Sequence, residues 1–278
     1  MGMRINTNVP SLSAQRYLRV TTSNQSDNFR KLSSGLRITR AGDDAAGLAI
    51  SDNLQAIIRG LRQASRNADD AISLIQTAEG GLNEISNIII RLRELAMQSA
   101  TDTVGNRERG FTDIEFQLLK SEIDRIAHSS EFNGAKLLDG TTGIMDFQVG
   151  VHNDPLLDRI TYDGVAADAS LATLGLAAES VSTKEGAQLS LQKLDDALVY
   201  VNGIRANLGA TQNRLSSVVT TLAINDENLS AARSRIRDVD MATETADATK
   251  NNILAQSGIA VLAQANSAPS LAIKLLNM

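Results

Sequence analysis

Apolar residues recur at heptad spacing through two long stretches of this 278-residue chain. Stepping by seven from Leu54 meets Leu61, Ala68, Ile75, Leu82, Ile89 and Ala96. An interleaved set holds Ile57, Ala64, Ala71, Ala78, Ile85 and Leu92. The C-terminal half repeats the device with Leu194, Val201, Leu208, Leu215, Leu222, Leu229 and Ile236. Its second set is Ala197, Ile204, Thr211, Val218, Asn225, Ala232 and Val239. Heptads sustained this long predict supercoiled helices packed along a seam. Prolines occur only at Pro10, Pro155 and Pro269, which leaves both stretches free of a residue that costs about 3 kcal/mol inside a helix. The predicted fold is mainly α: an elongated, folded-back coiled-coil or helical rod with a small β-hairpin region near the middle of the chain.

Outside the heptads the pattern changes. Residues 1–42 are polar and weakly periodic, with Phe29, Leu32 and Leu36 as a short apolar ridge and a bend expected at Ser33-Ser34-Gly35. Asp43 and Asp44 stand where a carboxylate caps the first long helix. That helix is expected to reach about Ser99, with Gly80-Gly81 a local weakness of roughly 1 kcal/mol per glycine. A turn around Gly105 leads to a shorter helix with Phe111, Ile114 and Leu118 on one ridge and Phe116, Leu119, Ile123 and Ile126 beside it. Asn133-Gly134 and Asp139-Gly140 are turn signals. Met145, Phe147, Val149 and Val151 alternate at the strand period, and Arg159–Tyr162 is the expected return strand. Residues from about 164 to 181 are small and irregular, and Ser182-x-x-Glu185 reads as a capping box for the second long helix. The division expected is 1–42 with 241–278 as a terminal-helix domain, and 43–240 as a helical domain with its β region at about 141–165.

Composition narrows the chemistry. Aromatics are 3% of residues and tryptophan is absent, which suits an Ala/Leu/Ile seam better than a broad globular core. The absence of cysteine removes disulfides, thiol catalysis and thiolate metal sites. Net charge is −5 and the arginines are scattered, which argues against nucleic acid as a partner. No run reaches the eighteen or so apolar residues that span a bilayer, and residues 1–30 lack a cleavable signal pattern. His128 and His152 sit in no catalytic motif, and Asp43/Asp44, Asp69/Asp70 and Asp195/Asp196 are adjacent residues that diverge by about 100° on a helix. No catalytic, cofactor or metal site is expected, and the chain does not read as an enzyme.

Two features remain to be explained. Asn225, in the C-terminal seam, is either a buried polar residue that fixes helix register or a residue at the seam's wet edge. From Asn251 to Met278 the only charged side chain is Lys274, while Ile253, Leu254, Ile259, Val261, Leu262, Leu271, Ile273, Leu275 and Leu276 supply apolar surface. Such a surface is expected to meet other copies of the chain. In a lone chain the segment is expected to be disordered, becoming helical on residues 1–40 and on neighbours.

The run Leu32-Ser33-Ser34-Gly35-Leu36-Arg37-Ile38, continuing through Ala41-Gly42-Asp43-Asp44-Ala45-Ala46-Gly47-Leu48-Ala49-Ile50, closely resembles the N-terminal signature of bacterial flagellins. So do Ile5-Asn6-Thr7-Asn8, Gln76-Thr77-Ala78-Glu79-Gly80-Gly81-Leu82, Arg91-x-Arg93-Glu94-Leu95-Ala96 and Glu131-Phe132-Asn133-Gly134. Val261-Leu262-Ala263-Gln264-Ala265-Asn266 is similar to the family's closing signature. The resemblance covers roughly 1–150 and 185–278. It implies a secreted structural subunit of the flagellum, a homo-polymer whose terminal segments form the filament core. It also implies export unfolded through the flagellar type III apparatus, a chaperone for the C-terminal segment, and contacts with filament-cap and hook-junction proteins. With almost nothing between about 164 and 182, the chain is expected to lack the variable outer domains of longer members. Arg91, Leu95 and Glu115 match the positions with which the family meets the flagellin-sensing Toll-like receptor, although Ile90 stands where recognised members more often carry a polar residue. A hook–filament junction protein and a secreted coiled-coil tether or effector remain alternatives.

Overall fold

The structure, a computed structural model, describes residues 7–276, with side chains through Ala268. Among the described residues, five helices and two small hairpins follow one another: α1 (Val9–Ser34), α2 (Ala45–Ser99), α3 (Asn106–Ser129), β1 (Glu131–Phe132), β2 (Ala135–Lys136), β3 (Ile144–Gln148), β4 (Arg159–Asp163), α4 (Lys184–Arg237) and α5 (Met241–Leu276). They form two compact units: Met1–Ala56 with Asn228–Met278, and Ile57–Glu227. The long helices α2 and α4 each contribute to both.

In the 57–227 unit the heptads do the organising. Every member of both α2 sets from Leu61 to Ala96 is buried, as are Leu194, Ala197, Val201, Ile204, Leu208, Leu215 and Leu222 of α4. Each large aliphatic side chain so buried contributes about 1.5–3 kcal/mol. Ion pairs Arg93–Asp195 (2.6 Å), Arg205–Glu79 (4.0 Å) and Arg62–Asp226 (2.9 Å) run along the edge, and their numbering shows that the two helices are antiparallel. Phe116, Ile123 and Ala127 of α3 join this core, but Phe111, Ile114 and Leu118 are exposed, so only one of the two expected ridges faces inward. Asn133 (φ 50°) and Gly134 (φ 81°) supply the two left-handed residues of the β1–β2 turn. Strand β3 pairs with β4 from Ile144–Asp163 to Gln148–Arg159. Buried Tyr162 donates to the Leu137 carbonyl, and burial pushes its phenol up to about 12.

Local chemistry ends the helices. Gly105 precedes α3, and buried Arg109 turns back to donate to the Ser99 (2.8 Å) and Thr101 (2.8 Å) carbonyls at the end of α2. Buried Lys120 donates to the carbonyls of Ala177 (3.0 Å) and Glu179 (2.7 Å), holding the irregular 164–182 segment onto α3. Burial lowers the pKa of that ammonium, against the opposing charges of Asp113 and Glu179. Thr183, not Ser182, caps α4: its Oγ1 accepts from the Gly186 amide at 3.1 Å, while Ser182 turns back toward Ser180.

In the other unit, Gly35 ends α1 at φ 70°. The chain then pairs briefly with the start of the α4–α5 connection, Arg37 donating its amide to the Arg237 carbonyl (2.7 Å) and Val239 to Gly35 (3.0 Å). Asp44 caps α2 by accepting from Gly47 at 2.9 Å. Asp43 does something else. Its carboxylate accepts from the Thr39 hydroxyl (2.8 Å), the Thr39 and Arg40 amides (3.1 and 3.2 Å) and Arg40 Nε (3.1 Å), folding the loop between α1 and α2 around one charge. Residues 9–34, weakly periodic in sequence, are helical, with Pro10 in the first turn where its missing N–H costs nothing. Helix α5 runs unbroken through Pro269 and packs against α1.

Two predictions test this. A Cβ at Gly80 meets nothing, whereas one at Gly81 lies 2.7 Å from Ser130 Oγ and 2.8 Å from Leu138 Cδ1. Gly80→Ala is expected to stabilise the chain by about 0.5–1 kcal/mol in urea unfolding. Gly81→Ala is expected to destabilise it, by about 1–3 kcal/mol if Leu138 is displaced. Equal effects would remove the packing role assigned to Gly81. The second concerns Asp43, whose carboxyl the Thr39 hydrogen bonds hold well below the ordinary range, with Arg40 adding to them. A carboxyl with a lowered folded-state pKa contributes stability that is whole above the unfolded value of about 4 and lost as pH falls below it. The melting difference between the parent and Asp43→Asn should therefore shrink as pH is lowered from about 5 to about 2. A difference that does not change over this range would mean the charge is not what holds the loop.

Candidate assembly surface

Helices α1 and α5 run antiparallel, with side chains meeting along their length: Asn8 Nδ2 donates to the Ala265 carbonyl (2.8 Å), Ser11 Oγ to Asn266 Oδ1 (2.7 Å) and Asn28 Nδ2 to Glu244 Oε1 (2.5 Å). The residues turned toward the partner helix follow a 3-4 spacing. On α1 they include Ser11, Ala14, Leu18, Thr21, Gln25, Asn28 and Leu32; on α5 they are Glu244, Ala248, Asn251, Ala255, Gly258, Leu262 and Ala265. This is a coiled-coil seam filled mostly by small and polar side chains. The buried members are Ser11, Ala14, Asn28, Glu244, Ala248 and Ala265, so no large aliphatic side chain is buried in the described part of this pair.

Most of the large apolar side chains point away instead. On α1, Val9, Leu12, Tyr17, Val20 and Phe29 are exposed, and on α5, Met241, Ile253, Leu254, Ile259 and Val261 are exposed, while Leu18, Leu32 and Leu262 stay half-buried in the seam. Of the nine assembly residues expected from the sequence, Ile253, Leu254, Ile259 and Val261 are thus on the surface and Leu262 is half-buried in the seam. Leu271, Ile273, Leu275 and Leu276 lie outside the described side chains, as Ile5 and Asn6 lie outside the described residues.

The remaining sequence-derived sites divide. Arg91 and Glu115 are brought together, Arg91 Nη2 lying 2.9 Å from Glu115 Oε1 with both side chains about half exposed. Hydrogen bonds to Glu94 and Glu115 raise the Arg91 pKa further. Leu95 is not with them on the surface: it is 2% exposed, on the column Leu74, Gly81, Ile88 and Leu95 that widens the buried stripe of α2. Asn225 is exposed, because burial along α4 fades beyond Leu222. Within this chain Asn225 therefore lies at the edge of the α4 seam rather than buried in it.

Buried polar residues do exist, but elsewhere. Asn28 and Glu244 are each 8% exposed, Asn251 Nδ2 donates to Asn28 Oδ1 at 2.7 Å, and Lys31 Nζ stands 3.7 Å from Glu244 Oε2. A search for apolar heptads passes over this seam; a search for small and polar residues at the same spacing finds it.

Comparison with known proteins agrees with this architecture. Residues 5–142 match the family model of the bacterial flagellin N-terminal helical region, and residues 191–276 that of the C-terminal helical region. A flagellin of Halalkalibacterium halodurans is 46% identical over 274 residues, covering 99% of this chain and all of that protein. The flagellar filament 33 kDa core protein of Treponema phagedenis is 44% identical over 287 residues, again covering 99% of this chain and all of the relative. The crystal structure of Bacillus cereus flagellin superposes with a TM-score of 0.50 at 31% identity, over 56% of this chain and 88% of that one. With both terminal regions matched and whole-length relatives at this identity, the chain belongs to the bacterial flagellin family, as a short member of it.

Proposed function

We infer that the chain is the structural subunit of the bacterial flagellar filament, a secreted protein that polymerises with copies of itself for motility. Whole-length relatives named as flagellin and as flagellar filament core protein support this over a hook–filament junction protein or a secreted tether. The observation that carries it is the outward placement of the large aliphatic side chains on α1 and α5. A helix pair in water gains by turning such residues toward its partner. A pair that turns them outward gains only when another surface covers them. Copies of the same chain cover them in an open helical polymer through heterologous contacts, each subunit offering one patch to a different patch on the next. The family's role is structural rather than enzymatic, and among the described residues no helix is long and apolar enough to cross a membrane.

The finer reading follows from family membership. We propose that 1–42 with 241–278 form the filament core and that 43–240 lie outside it. Partners proposed are the flagellar type III export apparatus, an export chaperone for the C-terminal segment, and the filament-cap and hook-junction proteins. Recognition by a Toll-like receptor is retained for Arg91 and Glu115 alone, whose ion pair is accessible. Leu95 would take part only if α2 opened there.

Assembly is testable by truncation. The exposed aliphatics are each worth about 1.5–3 kcal/mol when covered. Deleting 251–278 is therefore expected to abolish growth from filament fragments, seen by electron microscopy, while the 57–227 unit keeps its melting temperature. Filaments formed by the truncated chain, or a core that melts far lower, would refute the assignment. For the receptor, Arg91→Ala is expected to reduce the response of a cell reporter to purified monomer; an unaltered response would remove Arg91 from that role.

A further inference from the structure

We propose that Asn28, Glu244 and Asn251 form a register lock that sets the axial alignment of α1 against α5. The argument starts from what the seam lacks. Half of the seam positions hold alanine, glycine, serine or threonine, and none of its three leucines (Leu18, Leu32 and Leu262) is fully buried, so sliding α5 by one heptad changes apolar burial chiefly where Leu262 takes the place of Ala255. Apolar packing therefore leaves the register of this pair nearly degenerate, whereas in α2 and α4 large side chains specify it. The polar cluster is what breaks the degeneracy. Asn28 donates to Glu244 and accepts from Asn251, which sits seven residues further along α5. In the slipped pairing Asn28 would face Asn251 and Gly258, and Glu244 would lose its amide donor. A buried polar group left without a partner is costly, so the slipped state is penalised by the same residues that satisfy one another in the native one.

The lock stands two turns from the short pairing of Gly35 with Val239. That pairing ties the ends of the helices but lies in non-helical backbone. The cluster carries the alignment into the helices themselves, and the Ser11–Asn266 and Asn8–Ala265 contacts meet it at the far end. Alignment matters beyond the pair, because it decides how the exposed aliphatics of α1 and α5 combine into one outward surface. That last consequence rests on the filament reading; the lock itself does not.

The chain contains no cysteine, so an introduced pair reports register without interference. A Cβ at position 258 lies 3.4 Å from Leu18 Cδ1, and Leu18→Cys with Gly258→Cys is the in-register reporter. Leu18→Cys with Ala265→Cys reports a one-heptad slip. Intrachain disulfide formation is followed in the full chain, both unassembled and after seeded growth. In the parent background the 18–258 disulfide is expected to dominate. Asn28→Asp, which sets two carboxylates face to face, should slow it about tenfold and lower polymer yield. Adding Glu244→Gln restores a donor–acceptor pair in the opposite sense, and is expected to restore both. An 18–258 rate unchanged by Asn28→Asp would assign register to the Gly35–Val239 pairing or to the Asn8 and Ser11 contacts, and overturn the proposal. So would a double variant no better than Asn28→Asp alone, or a parent that forms no 18–258 disulfide in either state. A parent that obeys the cycle unassembled yet never polymerises would uphold the lock and refute the filament reading.

Discussion

Burial of Ala, Leu and Ile side chains at three- and four-residue spacing on α2 and α4 is the interaction on which the 57–227 unit is built. Both helices are longer than fifty residues, and helices of that length have no other way to remain paired in water. Once the stripe is committed, the other elements are placed by what they must cover. Helix α3 lays Phe116, Ile123 and Ala127 on it, and Leu137 and Leu138 follow at the hairpin. The 164–182 segment, which has no regular structure, still places Ala169, Leu174, Leu176 and Val181 in the same core and is held by Lys120. Gly81 marks a tight point, where a side chain on α2 would collide with Leu138.

The terminal pair obeys the same spacing with opposite contents. In α2 the 3-4 positions hold the large aliphatics and the outer positions are mostly polar. In α1 and α5 the 3-4 positions hold mostly small and polar residues, with three half-buried leucines, while most of the large apolar side chains are outside. The first arrangement spends its apolar surface within the chain, and the second keeps it for contacts with other chains. Specificity shifts accordingly. Where packing is rich, shape sets the register; where it is poor, hydrogen bonds must.

How much of this was legible in the sequence follows from the same contrast. The boundaries of α2, the start of α3 after Gly105, both strands of the larger hairpin and the Asn133-Gly134 turn follow from apolar periodicity and turn chemistry. Apolar periodicity did not delimit α1, because most of its inward residues are small or polar while Val9, Leu12, Val20 and Phe29 face outward. Asn225 drew attention as a polar residue in an apolar series, yet the series had already left the core by Leu222. Asn28 gave no such signal, since an asparagine among serines and threonines looks unremarkable until α5 is laid beside it. Leu95 matched a surface motif in sequence, and only the widened stripe of α2 reveals that its side chain is occupied.

The position of Asp43 shows the same limit at the scale of one loop. Two adjacent aspartates before a helix invite the same capping role, and sequence alone does not separate them. Asp44 takes the helix end because it sits three residues before the Gly47 amide. Asp43 is left facing backward, where Thr39 and Arg40 surround it. Arg30, at 3.6 Å, adds a second guanidinium from α1, so one carboxylate ties the end of α1, the loop and the start of α2. A charge in that place is tolerated because its donors are preorganised by the turn it stabilises. The neighbouring residue Gly47 has no side chain for a related reason: a Cβ there would lie 2.8 Å from Ile38 Cδ1, and Ile38 is the one large aliphatic that this loop buries. The loop is therefore fixed by a charge on one side and an apolar anchor on the other. The α1–α5 seam, poor in apolar contact, begins beside a loop held on both sides.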